Sequence, residues 1–488
     1  MQAERKEWIM GINERYEDGI LVETTVNTAD RGGVGKVLSL EAEVKRSGTE
    51  LLDKEAEVSG KVNYRLLYLD RQDRLCGLDY FKDFKCKVAG EKITPNGKCE
   101  VCFTLPEAEA VIAGEDVTLS AAVNVSLRYF GEEGVQSVAD VSEAECKKGE
   151  ILTQTVKKSE RTVEVEKSAE VGTSVKKILL FSVDPVLTSV TQKGEETEVA
   201  GEARANIVYL NEADETAEID LSMPFTEGYE GEANACYHLA VKSARVVLAD
   251  DEEGNTVEVE ATLVIEQILF EDKVQNAVVA VCGEKSQALE QSAELPCRLF
   301  KGQTLYSEVL RGEIPLDKAS AYLCFVRPGC YAMAEVRVED GAVFAEGVAS
   351  FRAVYLAEDN RDFVQGELPF AFRFPFAEAK AGQEAEVRLL IGEPKATYTG
   401  KNVVIEAKVT AEVSLYEEKP AYFLSDVQEG EPIPESEAGI SVYFAEKGED
   451  VWQIAKSMGV LPSALIKANP FLAEPLEEDK KVLVFRQK

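Results

Sequence analysis

The chain carries one histidine, His238, and that scarcity already removes several kinds of chemistry. Histidine-dependent triads and metal sites built on paired imidazoles need side chains that it does not have. Neither G-x-x-x-x-G-K-[ST] nor G-x-G-x-x-G occurs, and Gly32-Gly33-Val34-Gly35-Lys36 lacks the P-loop spacing. Bases are scarce as well: 54 Lys and Arg face 89 Asp and Glu, a formal charge of −35. That balance argues against partners such as nucleic acid or an anionic membrane, which need a basic surface. No stretch approaches the roughly 18 apolar residues of a membrane span, so no direct membrane insertion is expected. The opening MQAERKEWIMGINERYEDG lacks the apolar core of a signal peptide, which makes the cytoplasm the expected compartment. In so acidic a chain, neighbouring carboxylates carry no catalytic information. The expectation is a protein that is not an enzyme, with no cofactor and no metal.

What the chain does contain is a repeat. Gly60 to Leu69 reads GKVNYRLLYL, Gly201 to Leu210 reads GEARANIVYL, and Gly347 to Leu356 reads GVASFRAVYL. The tyrosines, Tyr68, Tyr209 and Tyr355, are spaced 141 and then 146 residues apart. Such spacing is the size of a domain, so the pattern is a tandem array and not a short-repeat solenoid. The glycine is predicted to mark a turn or a close backbone approach, and the Tyr-Leu pair to face opposite sides of a sheet. The three tyrosines are therefore structural. A second anchor closes each copy: Val117 to Tyr129, Val257 to Leu269 and Val403 to Leu415 alternate apolar with mostly polar or small residues. Alternation of that length means a half-buried strand. Between the anchors lie a polar loop and an aromatic landmark, read at Phe81, Phe225 and Phe370. The predicted fold is mainly β, three tandem antiparallel β-sandwich-like domains.

Ten cysteines do not recur at matching repeat positions, and Cys99-Glu-Val-Cys102 is the only CxxC. Zinc ligation needs more, so all ten are read as free thiols. His238, in the strand-like ACYHLAV, is read as structural.

The expected boundaries are residues 1–33 as an N-terminal segment, 34–147 as the first repeat and 148–282 as the second, with a leading strand segment. The third is 283–424, with an insertion of about twenty residues before its first core strand. Residues 425–438 are expected to be an extended acidic linker, and 439–488 a separate small domain. Three sandwiches in a row predict a long rod with a small module on a flexible tether.

The last domain has a different grammar. Ile440 to Phe444 suits a strand, and Asp450 is placed to cap a helix whose apolar positions are Val451, Ile454, Ala455 and Met458. Gln453 would complete a capping box. Gly459 ends that helix, Pro462 opens a second, Asn469-Pro470 stops it, and Lys481 to Phe485 returns as a strand. This βααβ unit resembles a LysM module. The run Gly448-Glu449-Asp450-Val451-Trp452-Gln453-Ile454-Ala455 matches the family's Gly-Asp-Thr-Leu-Trp-x-Ile-Ala, with Leu465 and Asn469 downstream. The resemblance implies a binding groove at Gly448, Glu449, Asp450, Asn469 and Pro470. Trp452 is read as a core residue with Ile454 and Ala455, turned towards Ala468.

Three β repeats followed by one such module also resemble the SPOCS-domain proteins of spore-forming clostridia and their relatives. That resemblance implies a non-enzymatic adaptor or scaffold in spore-envelope (coat) assembly. It would act in the cytoplasm on the mother-cell side of the developing spore surface, its LysM-like module contacting a coat-morphogenetic ATPase. The alternative is a cell-wall-associated protein that binds peptidoglycan through N-acetylglucosamine.

Overall fold

The long alternating segments bury one face, in the first and third repeats almost completely. Val117, Leu119, Val123, Val125 and Leu127 are at most 1 % exposed, as are Val403, Ile405, Ala407, Val409 and Val413. Each segment is a central strand with a partner on both sides, and the chain is mainly β with antiparallel sheets. The computed structural model describes residues 1–488 apart from 173, 231–233, 250–254, 319–321, 358–359, 400, 435–438, 473–474 and 486–488.

The first repeat comprises β1 (Ala3–Asn27), β2 (Val34–Leu51), β3 (Glu55–Asp70), β4 (Leu75–Ala89), β5 (Lys98–Ala113) and β6 (Asp116–Val141). They form two sheets, β1-β6-β5 and β2-β3-β4, which share one apolar core. The second repeat, β7 (Ala144–Glu170), β8 (Val175–Lys193), β9 (Glu196–Asn211), β10 (Thr216–Glu230), β11 (Ala235–Leu248) and β12 (Thr256–Gly283), copies this plan as β7-β12-β11 and β8-β9-β10. The third uses β13 (Ser286–Pro315), β14 (Tyr322–Glu339), β15 (Ala342–Ala357), β16 (Asn360–Pro375), β17 (Glu384–Ile391), β18 (Lys395–Tyr398) and β19 (Asn402–Pro432). Here the fifth strand is broken in two, and both β17 and β18 pair with β19.

The Gly-Tyr-Leu unit is the middle strand of the second sheet in every copy. Tyr68, Tyr209 and Tyr355 lie in the cores of their own repeats. Leu69 and Leu210 point the other way, into a cluster shared between repeats. Opposite the glycines stand Phe84, Phe225 and Phe370. A Cβ at Gly60, Gly201 or Gly347 would lie 2.5, 2.5 or 2.6 Å from the facing ring, so glycine makes room for an aromatic cap on the neighbouring strand. The landmark in the first repeat is thus Phe84 and not Phe81, whose ring is 58 % exposed. Strand pairing, not distance along the chain, sets the equivalence.

Several sequence-based boundaries are corrected. Residues 1–33 are not a separate segment, because β1 pairs with β6 along its whole length. The second repeat starts at Ala144, since β7 holds the place of β1. The twenty-residue insertion does not exist: β13 is the corresponding first strand of the third repeat, and Lys167–Val171 and Gln291–Leu295 are not equivalent. The acidic stretch from 425 continues in β19 to Pro432. There Leu424 and Val427 are buried, Asp426 binds Arg5 at 2.9 Å, and Glu429 binds the N-terminal ammonium at 2.9 Å. Paired acids on one side of a strand looked, in sequence, like a solvated tether. Residues 435–438 lie outside the described residues.

The three repeats also do not form a rod. Their central strands β6, β12 and β19 contact one another pairwise, which closes a ring. Two apolar clusters draw on all three repeats. One contains Leu38, Leu179 and Phe325, and the other Phe130, Phe270, Phe300 and Tyr416. Past Phe130, Leu269 and Tyr416 the fifth strands have ended, and three two-stranded ribbons run on together as a stem. Its interior holds Trp8, Met10, Val135, Ile151, Ala277 and Phe423, then Val138, Val281 and Val427. No described helix is long and apolar enough to cross a membrane.

Candidate functional site

The last described elements are β20 (Ile440–Ala445), α1 (Val451–Met458), α2 (Pro462–Ala468) and β21 (Lys480–Phe485), with β20 and β21 antiparallel. Val451, Ile454 and Ala455 of α1 pack with Leu465, Val482 and Val484 in one small core. Asp450 caps α1 by accepting the Trp452 amide at 2.7 Å, and Gly459 ends it in the left-handed region at φ 61°. Among the described residues Gln453 makes no return bond, so the cap is single.

The five residues of the expected groove are not five free contacts. Gly448 forms an open turn at φ 92°, and Pro470 is exposed. Asn469 is completely buried: its amide donates to the carbonyls of Leu465 (2.9 Å) and Leu483 (2.6 Å) and accepts the Leu483 amide (2.7 Å). It fastens α2 to β21. Glu449 accepts from the Tyr443 hydroxyl at 3.0 Å and the Glu446 amide at 2.9 Å. Asp450 accepts from Lys147 of the stem at 2.6 Å. Burial opposes its charge, but Lys147 and the Trp452 amide win, and its acidity rises above the ordinary level. Trp452 is half-buried and outside the core, because the buried stripe of α1 runs through Val451, Ile454 and Ala455.

The module is seated on the end of the stem. Lys456 binds Glu290 at 2.6 and 2.7 Å, the Ser463 amide and hydroxyl bind Glu145, and the Cys282 thiol donates to the Val460 carbonyl at 3.3 Å. These contacts use α1, the first turn of α2 and the loops around Asp450 and Val460. They leave the outer face of β20 and β21 uncovered. On it stand Ile440 (61 % exposed), Val442 (47 %), Phe444 (70 %), Leu483 (40 %) and Phe485 (49 %). Cross-strand pairing sets Ile440 against Phe485 and Val442 against Leu483, so these five side chains form one continuous apolar face. Lys481 lies over the Phe444 ring at 5.5 Å. This face was missed in the sequence, although the alternation I-x-V-x-F in ISVYFA was its signal.

A second concentration of polar groups lies on the ring axis, around a cavity of about 1760 Å³ walled by all three repeats. Glu41, Ser182 and Arg327 face Arg65, Asn206 and Arg352 across their sheets, each three residues before the motif tyrosine, so the three positions are equivalent. They meet. Arg327, 3 % exposed, binds Glu41 at 2.8 Å, Glu393 at 2.7 Å, Ser182 at 3.0 Å and Asn206. At the other junction His238 of the second repeat donates to Glu100 of the first and Glu412 of the third, both at 2.8 Å. Arg388 joins the same Glu100. Burial works against charge on His238, and so does Arg388, yet Glu100 holds its imidazolium well above the usual range. Glu100 in turn stays well below the usual range: burial alone would raise it, but Arg388 and His238 prevail. His238 is thus a tie between repeats. The lone histidine showed nothing of this in the sequence, since both partners come from other copies.

All ten cysteines are free thiols, and the described residues contain no group of three or more His, Cys, Asp or Glu arranged to hold a metal. No family model, no curated protein and no solved structure matches the chain.

Proposed function

We propose that the chain is a non-enzymatic adaptor in spore-envelope assembly, with three SPOCS-type β-sandwiches forming its body and a LysM-like module docking a coat-morphogenetic protein partner. The proposed place of action is the cytoplasm, on the mother-cell side of the developing spore surface. One observation carries the reading: the module presents a five-residue apolar sheet face to solvent at the end of a stem that holds it in place. Exposed apolar area of this kind, contiguous and rimmed by charge, is the chemistry of protein docking. A sugar-binding groove needs free polar groups. Here Asn469 is spent on α2 and β21, Glu449 on its own turn, and Asp450 on the helix cap and Lys147.

The test compares the full chain with its Phe444→Asp variant in sporulating cells, following localisation and co-purified coat proteins. Loss of both with an unchanged circular dichroism spectrum is the expected result. Normal localisation of the variant would overturn the docking role of this face. Sedimentation of either protein with purified peptidoglycan, released by lysozyme, would instead support the glycan reading.

A further inference from the structure

The two axial junctions differ in how their charges balance. At the His238 junction two cations, His238 and Arg388, stand between Glu100 and Glu412. At the Arg327 junction carboxylates are in surplus. Glu41 comes from β2, Asp184 from β8, Glu218 from β10 and Glu393 from the loop after β17, and all act on Arg327 or Glu393. Of the other cations nearby, Arg65 is committed to Glu43 at 2.7 Å and Arg204, beside Gly392, to Glu202 at 2.6 Å, while Arg352, opposite Arg327, turns to Gln365 at 2.6 Å and the Phe363 ring. Glu393 Oε1 binds Arg327, but Oε2 is buried with no hydrogen-bond partner among the described residues. Asp184 and Glu393 also line the axial cavity, which gives water a route to them.

A carboxylate so placed keeps its proton, because ionising it would put uncompensated charge in a low-dielectric site. Burial first, then Glu41, Asp184 and Glu218, push Glu393 up to about 8 against the pull of Arg327. Burial likewise pushes Glu218 up to about 7 and Asp184 up to about 6. Raised folded-state values mean that the stabilisation is complete below the ordinary carboxylate range. It is lost as pH rises through about 6, 7 and 8 in turn.

We propose that the Arg327 junction is a proton-operated clasp between the three repeats, closed while its surplus carboxylates are protonated and loosened when they ionise. The His238 junction, with a cation for each carboxylate and the Phe130, Phe270, Phe300 and Tyr416 cluster beside it, stays shut over the same interval. The clasp does not depend on what the terminal module binds.

Hydrogen exchange on the full chain, from about pH 6 to about pH 9 and corrected for the intrinsic chemical rate, tests it. Exchange in β2, β8 and β14 around Glu41, Ser182 and Arg327 is expected to rise roughly tenfold across that range, while the stem ribbons stay flat. Glu393→Gln, neutral at every pH, removes the last of the three steps and is expected to reduce the rise, most of all above about pH 7. Should that variant not fold, Glu218→Gln takes its place. A flat profile in the wild type, a rise shared equally by the stem, or an unchanged profile in the Gln variant would overturn the clasp.

Discussion

Inside each sandwich the three repeats keep the same landmark residues, whereas on the axis between them equivalent positions hold residues of different charge. Gly60, Gly201 and Gly347 all face a phenylalanine, and all three motif tyrosines are buried. Yet Glu41, Ser182 and Arg327 occupy one equivalent axial position, and Cys102, His238 and Arg388 occupy another. Only the aromatic end keeps its character, with Phe130, Phe270 and Tyr416 each fourteen residues after the first residue of its long strand. Three identical glutamates converging on one axis would repel, and three arginines would do the same. Divergence replaces that repulsion with complementarity. The core positions define the domain, and the axial positions define which domain sits next to which.

This contrast is broken most severely on the axis. Arg327→Met should cost about 3–5 kcal/mol in chemical unfolding, since it leaves Glu41 buried without its partner. The contrast is sharpened by making one core substitution in all three copies. Gly60→Val, Gly201→Val and Gly347→Val each drive a side chain into the facing phenylalanine and should each cost about 2–3 kcal/mol. Equal costs support a repeated core, and one tolerant copy would show that its glycine serves another purpose. Asp450→Ala removes the cap of α1 and should cost the module about 1 kcal/mol in thermal melts, with the ring unaffected. Smallest of all, Phe444→Asp should change stability by less than about 0.5 kcal/mol, because an exposed ring contributes little to the fold.

The sequence made the repeated half of this picture readable. Recurrence at domain spacing gave three β units, long alternation gave their central strands, and the glycine was read as a close approach. The first strands β1, β7 and β13 were harder, because they share no landmark and their charged outer faces dilute the alternation. The ring was not readable at all. A repeat is recognised by what stays the same, and the residues that close the ring are those that changed. The acidic end of β19 misled for a related reason: Asp426 and Glu429 are paired by Arg5 and the N-terminus, more than 400 residues away in the chain. In the module, the cap and the apolar stripe of α1 were legible from spacing. Trp452 reads as core when helical spacing is taken to turn it towards Ala455 and Ala468, but its position is off the stripe.

The central claim is that complementary axial residues hold the three repeats together, and a double-mutant cycle on Glu41 and Arg327 tests it most directly. Glu41→Leu, Arg327→Met and the double variant would be compared by urea denaturation of the full chain at one pH below neutrality. The account predicts that the double variant is less destabilised than the sum of the single ones by about 2 kcal/mol or more. Additivity within about 0.5 kcal/mol would mean that the two residues do not act on each other, and would contradict it.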